Sequence, residues 1–340
     1  MRLRVNVEIQ GDPMGKPKIF VTRPIPGNAL SELKAHFDVE LRETESIISK
    51  EEIIAGVKGK DGLLCILTDP VDAEVMDANK NLKIISNYGV GYDKVDVEAA
   101  TKRGIIVTNT PGALTETTAD LAVGMMIAAA RRIVESDKFT RECKFEGWGP
   151  SMMLGIDVYG KTLGIVGLGR IGKAVAQRAA KGFSMKIIYN DPKVQADFDA
   201  EYGAKWVELD TLMKESDFIS IHVPLTPKTR KMFGEKQFHM MKKTAVLVNT
   251  SRGAVVDQTA LGKALKTHRI YAAALDVYED EPRSPVELIP LPNVILLPHI
   301  GSASLETRAA MANLAVKSLM DYFKGATPEN VVNKDVLNKK

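Results

Sequence analysis

The sequence predicts an α/β protein with two parallel-sheet domains, one inserted into the other. Short apolar, β-branched runs alternate with helical patterns along nearly the whole chain, and this alternation is typical of parallel strands covered by helices. The length of 340 residues suffices for two domains. No low-complexity linker separates the two series of strands, and an insertion joined by two crossings explains that absence better than two domains in tandem.

The first series contains five predicted strands, at 18–22, 37–41, 63–67, 82–86 and 105–109. Helical patterns lie between several of them. A capping box at 49–52 begins one helix, and another, over 93–104, ends at Gly104. The segment 115–136 then predicts one long helix that is buried on more than one side, because its apolar positions surround it widely.

The second series contains six predicted strands, at 162–167, 186–190, 218–223, 245–249, 271–277 and 294–298. A long amphipathic helix follows over 304–325. Residues 1–13 are predicted to be an upstream extension outside the folded domains, and they lack the uninterrupted apolar run of a secretory signal.

Composition excludes several classes of function. The net charge of +3, with scattered basic residues, argues against a nucleic-acid or membrane-surface partner. The longest apolar stretch, 121–130, is too short to span a bilayer. The two cysteines, Cys65 and Cys143, form no disulfide framework or zinc spacing. No metal site is therefore expected, and the protein is predicted to be cytoplasmic.

The segment "GLGRIG" follows an apolar strand and begins a helical pattern, which is the context of a dinucleotide-binding turn. Gly167 allows the tight turn, Gly169 lets the backbone approach a diphosphate, and Gly172 lets helix and strand pack closely. Arg170 and Ile171 complete this candidate cofactor site at the helix N-terminus. The turn predicts a Rossmann-type, doubly wound domain; the alternative is a structural glycine-rich turn.

An acidic residue, Asp191, ends the strand after this turn. A carboxylate there accepts hydrogen bonds from the ribose hydroxyls of NAD and repels the 2′-phosphate of NADP. NADH is therefore the expected cofactor, with some NADPH use because Lys193 follows closely. The order "YNDP" leaves open whether Asp191 or Asn190 faces the ribose.

Three strand ends of the second series deliver Arg252, Glu281 and His299. Together they predict hydride-transfer chemistry on a 2-keto acid. A guanidinium grips the substrate carboxylate or carbonyl, a histidine gives a proton to the ketone oxygen, and a carboxylate stabilises the imidazolium. Taken singly, each has an alternative: a solvated arginine, plain loop charge, and a structural histidine.

The same edge supplies further candidate cofactor contacts: His222, Pro224, Thr250, Ser251 and Asp276. His222 is more typical of a structural or cofactor-lining residue than of a catalytic one. Its position after an apolar strand supports that interpretation.

From Lys16 to Asn333 the sequence resembles the D-isomer-specific 2-hydroxyacid dehydrogenases. The resemblance depends on "GVGYDKVDVEAATKRGI", "TETTADLAVGMM", "TLGIVGLGRIG", "VNTSRGAVVD", "ALDVYEDEP" and "LPHIGSAS". The narrower likeness is to the glyoxylate/hydroxypyruvate reductases of that family, through "FEGWGPSMMLGIDVYGKTLGIVGLGRIG" and "TRAAMANLA".

This resemblance implies roles for individual residues. Arg252, Glu281 and His299 match the catalytic residues, with His299 as the acid/base. The implied substrate-binding residues are Leu67, Val90, Gly91, Arg252 and His299, with the backbone amides of Val90 and Gly91 binding the carboxylate. Thr118 and Gly301 match cofactor contacts, and Asp276 matches the residue that holds the nicotinamide carboxamide. Trp148 or Met152–Met153 is expected to close the pocket from a partner subunit.

The implied architecture is a cofactor domain at 112–299 inserted in a flavodoxin-like substrate domain made of 14–111 and 300–332. The family commonly dimerises through the cofactor domains, so a homodimer is expected. The expected reaction is NAD(P)H-dependent reduction of glyoxylate or hydroxypyruvate to the D-2-hydroxy acid.

Other functions remain open at this point. The alternatives are a related dehydrogenase, of the 2-ketogluconate reductase, D-lactate or phosphite type, or a non-enzymatic dinucleotide-sensing corepressor. Formate enzymes usually carry Gln at the position of Glu281, which counts against that activity. Corepressors of the family usually carry disordered tails, and this sequence is not expected to have one.

Overall fold

The computed structural model describes residues 15–338. The predicted extension at 1–13 therefore lies outside the described residues. The chain forms two compact units. One contains the residues up to Pro111 together with those from Arg308 onward, and the other contains Gly112–Thr307.

The first unit is a five-stranded parallel sheet with helices. Its strands are β1 (Lys18–Val21), β2 (Asp38–Leu41), β3 (Gly62–Ile66), β4 (Ile84–Tyr88) and β5 (Ile106–Thr108). Its helices are α1 (Ala29–His36), α2 (Lys50–Val57), α3 (Ala73–Asp77) and α4 (Val97–Lys102), and α12 (Leu305–Phe323) from Arg308 onward. The strand order β2-β1-β3-β4-β5 is the flavodoxin-like order, which confirms the predicted class of this unit.

The second unit is a seven-stranded parallel sheet. Its strands are β6 (Thr162–Val166), β7 (Lys186–Asn190), β8 (Lys205–Trp206), β9 (Phe218–Ile221), β10 (Val246–Asn249), β11 (Ala272–Leu275) and β12 (Val294–Leu296). Its helices are α5 (Thr115–Ala130), α6 (Ile133–Arg141), α7 (Arg170–Phe183), α8 (Ala196–Tyr202), α9 (Leu209–Glu215), α10 (Glu235–Met240) and α11 (Gln258–Lys266).

The strand order in this second sheet is β12-β11-β10-β9-β6-β7-β8. The chain winds outward from β6 in both directions, which confirms the predicted doubly wound class. Apolar side chains of β6 alternate between the two faces: Ile165 belongs to the core with α5 and α7, and Val166 belongs to the core with α9 and α11. Burial on both faces explains why these strands read as continuous apolar runs.

The prediction of one long helix over 115–136 is wrong. α5 ends at Ala130, and α6 begins at Ile133. Between them Arg132 has the left-handed backbone with φ of 54°, and its guanidinium binds Glu135 and the carbonyl of Leu154. Apolar periodicity continues through this break because it reports which side chains are buried and is insensitive to a single left-handed residue.

Smaller differences concern the ends of elements. The capping box at Ser49 is present as predicted. The helix expected over 93–104 is shorter, since α4 begins after the Asp96 cap and ends at Lys102. The two-residue strand β8 was not predicted, because a segment of that length carries no periodic signal. Within residues 15–338, no helix combines the length and the apolar character that crossing a bilayer requires.

The break at Arg132 can be tested by exchanging glycine and valine at two neighbouring positions. Left-handed backbone strains a β-branched residue and costs a non-glycine residue about 1–2 kcal/mol. We therefore expect Arg132→Gly to have a higher Tm than Arg132→Val in thermal unfolding. At Arg131, where φ is −101°, valine should be at least as stable as glycine. A continuous helix would make glycine the worse residue at both positions.

Candidate active site

The three glycines of the turn after β6 differ in backbone conformation and in the space around them. Gly167 has a φ of 93°, and a Cβ there would lie 2.9 Å from the carbonyl oxygen of His222. A Cβ at Gly172 would lie 2.2 Å from the carbonyl oxygen of Gly167. A Cβ at Gly169 would meet no described residue within 4 Å. The turn therefore packs tightly against other backbone atoms at Gly167 and Gly172, whereas the space beside Gly169 is open.

The open side of this turn suits an anion. Gly169 is the N-cap of α7, and no described side chain caps the helix or places a carboxylate in its first turn. The first N–H groups of a helix lack intrahelical acceptors and carry the positive end of the helix dipole. The start of α7, with Arg170 and Ile171, therefore fits the diphosphate of a dinucleotide.

Asp191 lies beside the glycine turn, whereas Asn190 is engaged elsewhere. One carboxylate oxygen of Asp191 accepts from the N–H of Leu168 (2.9 Å), and the other accepts from the N–H of Lys193 (3.1 Å). The amide of Asn190 donates to the carbonyl of Val207 (2.9 Å). The Asp191 carboxylate therefore lies beside the glycine turn, and each of its oxygens retains a lone pair that could accept from a hydroxyl.

His299 and Glu281 form a close pair. The Nδ1 of His299 lies 2.7 Å from Oε2 of Glu281, and Oε1 of Glu281 accepts from the N–H of Tyr278 (2.9 Å). Burial alone would raise the pKa of Glu281, but His299, the Tyr278 amide and the Arg252 charge hold that pKa below its ordinary value. An ionised Glu281 accepts, so Nδ1 carries the proton and Nε2 is the nitrogen that can serve a substrate.

The backbone that carries His299 is held by Asp276. His299 is left-handed with a φ of 56°. The two carboxylate oxygens of the buried Asp276 accept from the N–H groups of Ile300 and Gly301, both at 2.7 Å. The hydroxyl of Thr118 donates to the carbonyl of Gly301 (2.9 Å). Burial raises the pKa of Asp276, and these two amides oppose that rise.

Arg252 follows β10 in a loop that Asn249 organises. The amide of Asn249 donates to the Arg252 carbonyl (3.1 Å), and its oxygen accepts from the N–H and hydroxyl of Ser251. The guanidinium of Arg252 donates to the Ser251 carbonyl (2.8 Å). The hydroxyl of Thr250 is buried and has no hydrogen-bond partner among residues 15–338. A cofactor hydroxyl or amide would satisfy it, which supports the cofactor interpretation of this loop.

Tyr278 links the loops that carry the three candidate catalytic residues. Its N–H binds Glu281, and its hydroxyl donates to the carbonyl of Leu297, two residues before His299 (2.6 Å). Gly253 lies so close that a Cβ there would be 1.8 Å from the carbonyl carbon of Tyr278. The second unit thus brings together the predicted residues Arg252, Glu281 and His299.

His222 lies just past β9, and Pro224 follows it on the surface. The Nε2 of His222 is 2.8 Å from the hydroxyl of Ser220. Burial lowers the pKa of His222 to about 3. The imidazole is therefore neutral at physiological pH and unsuited to donate a proton, and its role as a structural or cofactor-lining residue stays a prediction.

The predicted substrate residues of the first unit share the carboxyl edge of its sheet. Leu67 follows β3, and Val90 and Gly91 follow β4. Leu67 packs against the turn at Gly89, since a Cβ at Gly89 would lie 2.9 Å from the Cβ of Leu67.

The loop expected to contact a partner subunit lies in the second unit, where Trp148 is 82% exposed and Met152 is 36% exposed. The expected reach of this loop into a partner subunit stays a prediction.

Sequence reasoning missed Tyr278 and Asn249. Both act through backbone groups that are close in space but separated in the chain, and no local pattern marks such a contact. The only available signal was their position in "LDVYEDEP" and "VNTSRG", the two segments that carry Glu281 and Arg252.

The fold and the site define a dinucleotide-binding sheet with an arginine and a glutamate–histidine pair at its carboxyl edge. Residues 123–301, more than half of the chain, match the family described as D-isomer specific 2-hydroxyacid dehydrogenase, NAD binding domain. The chain belongs to the D-isomer specific 2-hydroxyacid dehydrogenase family.

Similar proteins cover nearly the whole chain. The glyoxylate reductase of Korarchaeum cryptofilum is 55% identical over 324 residues, which are 95% of this chain and 97% of that protein. The glyoxylate reductase of Thermococcus litoralis is 52% identical over 326 residues, 95% and 98% of the two chains. A solved structure of the NADPH-dependent glyoxylate/hydroxypyruvate reductase from Sinorhizobium meliloti, in complex with NADP and malonate, has a TM-score of 0.83 at 33% identity. It covers 94% of this chain and 98% of that one.

The contact between Gly253 and Tyr278 predicts the effect of adding one methyl group. Gly253→Ala should separate the Arg252 loop from the loop of Glu281, and a misplacement of about 1 Å at a catalytic group costs about 10²-fold in rate. We expect kcat/KM for glyoxylate to fall by about that factor. Gly262→Ala is the matched control, because its Cβ meets Leu288 at an ordinary 3.4 Å. Equal activity of the two variants in steady-state assays would contradict this reading of the contact.

Proposed function

We propose that this protein reduces glyoxylate, and also hydroxypyruvate, to the corresponding D-2-hydroxy acid with a nicotinamide cofactor. The single observation that carries the proposal is the Glu281–His299 pair at 2.7 Å, on loops packed against the loop of Arg252. The likeness to curated glyoxylate reductases at about half identity over nearly the full length selects the substrate.

The proposed mechanism assigns each residue a step. Arg252 holds the 2-keto acid through its planar guanidinium. When bound, a nicotinamide cofactor supplies the hydride that reduces the ketone carbon. His299 donates the Nε2 proton to the ketone oxygen, and Glu281 stabilises the imidazolium before that transfer. Val90 and Gly91 bind the substrate carboxylate through their backbone amides.

The second unit is proposed as the cofactor domain and the first unit as the substrate domain. The residues present fit a nicotinamide dinucleotide: the start of α7 would hold the diphosphate, and Asp191 would hold the adenine ribose. The buried hydroxyl of Thr250 and the polar atoms around Asp276 would meet the nicotinamide end.

The activity is tested by following NADH oxidation with a panel of 2-keto acids. Glyoxylate and hydroxypyruvate should have higher kcat/KM than pyruvate, 2-ketogluconate and phenylpyruvate. A clear preference for phenylpyruvate would exclude the proposed substrate class. Binding of NADH without turnover of any 2-keto acid would instead favour a dinucleotide-sensing protein.

Glu281→Gln is expected to move the alkaline limb of the pH–rate profile for ketone reduction to lower pH. Reduction needs imidazolium, and the neutral amide stabilises that cation less than the carboxylate does. His299→Ala should lower kcat by about 10²–10⁴-fold, the usual contribution of a positioned proton donor. His239→Ala, on the exposed face of α10, is the control and should leave the profile unchanged. If the pH–rate profile of Glu281→Gln is the same as that of the wild type, Glu281 takes no part in proton transfer.

For the cofactor, a preference for NADH over NADPH is proposed, with residual NADPH use through Lys193. Asp191→Ala should reduce the NADH/NADPH ratio of kcat/KM, because NADH loses its ribose acceptor and NADPH loses a like-charged neighbour. Asn190→Ala is the matched variant for the displaced "YNDP" register. If Asn190→Ala changes the ratio and Asp191→Ala does not, Asn190 faces the ribose.

A homodimer is also proposed, through α6 and the loop 142–160. This region exposes several large apolar side chains: Ile133, Val134, Phe145, Trp148, Leu154 and Tyr159. Several exposed large apolar side chains within one segment of the chain support a site of protein association there. Sedimentation velocity should give a dimer for the wild type and a shift toward monomer for Trp148→Glu. The expected cytoplasmic location stays a prediction.

A further inference from the structure

In the turn after β4 of the first unit, asparagine side chains donate to the carbonyls of all three residues, and the N–H of Thr110 also donates to the Gly89 carbonyl (3.0 Å). The amide nitrogen of Asn87 donates to the carbonyls of Gly89 (3.1 Å) and Gly91 (2.9 Å). The amide nitrogen of Asn109 donates to the carbonyl of Val90 (2.8 Å). Three successive carbonyls are thus turned toward the two asparagines.

Anchored carbonyls determine where the N–H groups of the turn point. In a trans peptide the N–H lies opposite the preceding C=O. The N–H groups of Val90 and Gly91 therefore point away from Asn87 and Asn109. Neither N–H donates to an acceptor within the described part of the chain. Successive N–H groups oriented together form a concave site for an anion, known as a nest.

The backbone of Asn87 lies in β4, and the backbone of Asn109 follows β5. Asn87 is 1% exposed at the end of β4, and its two N–H bonds fix the orientation of its amide. The backbone of Asn109 pairs with Asn330, whose side chain donates to the Asn109 carbonyl. Gly89 leaves room for this arrangement, because a Cβ there would lie 2.9 Å from Leu67 and 3.4 Å from the Asn87 amide.

We propose that Asn87 and Asn109 are positioning residues for substrate binding, which build the nest that holds the carboxylate of the 2-keto acid. The inference rests on the proposed function, in which the amides of Val90 and Gly91 contact that carboxylate. The asparagines act through the backbone: they contact the turn and fix the direction of its N–H groups. The nest is uncharged, so its affinity for a carboxylate depends on that direction.

Substitution should therefore raise KM and leave hydride transfer intact. In Asn87→Ala we expect KM for glyoxylate to rise about ten- to hundredfold, the value of hydrogen bonds to a charged group. In Asn87→Asp the rise should be larger, because a carboxylate cannot donate to the carbonyls and repels the substrate. In both variants kcat at saturation and the Kd of NADH should stay within about twofold of wild type, since the second unit is unchanged.

Asn79 supplies a matched control in the same unit. Its side-chain nitrogen also donates to two backbone carbonyls, those of Val57 (2.7 Å) and Lys60 (2.6 Å), and it is 7% exposed. Asn79→Ala should lower Tm about as much as Asn87→Ala without changing KM. If Asn87→Ala does not fold, Asn109→Ala removes a single half-buried hydrogen bond and should still raise KM.

Binding of oxamate, a carboxylate that is not reduced, distinguishes this inference from the proposed activity. Oxamate should raise the Tm of the wild type and of Asn79→Ala, and should do so much less in Asn87→Ala and Asn109→Ala. If the wild type reduces no glyoxylate but shows this pattern with oxamate, the proposed activity fails and the nest stands. An unchanged KM and an unchanged oxamate shift in both Asn87→Ala and Asn109→Ala would overturn the nest, as would an equal KM rise in Asn79→Ala.

Discussion

The close approach of Gly253 to the backbone of Tyr278 is the constraint on which the geometry of the candidate active site depends. The loop of Arg252 packs directly against Tyr278, whose N–H binds Glu281 and whose hydroxyl binds Leu297, in the segment between β12 and His299. Three loops that follow three different strands therefore share one reference point. Parallel sheets provide such an arrangement because their strand ends converge on a single edge.

The two histidines at this edge of the sheet have different neighbours, and this difference suits them to different roles. His222 is half-buried beside a neutral hydroxyl, and desolvation of its imidazole lowers its pKa, which keeps the ring uncharged. His299 is partly exposed, and its Nδ1 lies 2.7 Å from the carboxylate of Glu281. The buried Asp276 contributes differently again, since its carboxylate is used to fix the left-handed backbone at His299 through two N–H groups.

The fold and the positions of the polar strand ends could be predicted from the sequence because each depends on a local pattern. "GLGRIG" specifies its turn within six residues, and buried parallel strands read as short apolar runs. The break at Arg132 could not be predicted, since one left-handed residue does not disturb apolar periodicity. Tyr278, Asn87 and Asn109 act on backbone atoms that only the fold brings near them, so their side chains carry no recognisable signature in the sequence.

In the turn at 89–91, the direction of the backbone N–H groups does not depend on the side chains of the turn itself. Its N–H directions follow from asparagines outside the turn, whereas its central side chain, Val90, is half-buried and takes no part in those hydrogen bonds. A different side chain at position 90 would therefore leave these hydrogen bonds, and with them the proposed carboxylate site, in place. Such an arrangement is favourable for divergence, because substitutions at this one position can change the substrate that is accepted without removing the proposed site for its carboxylate.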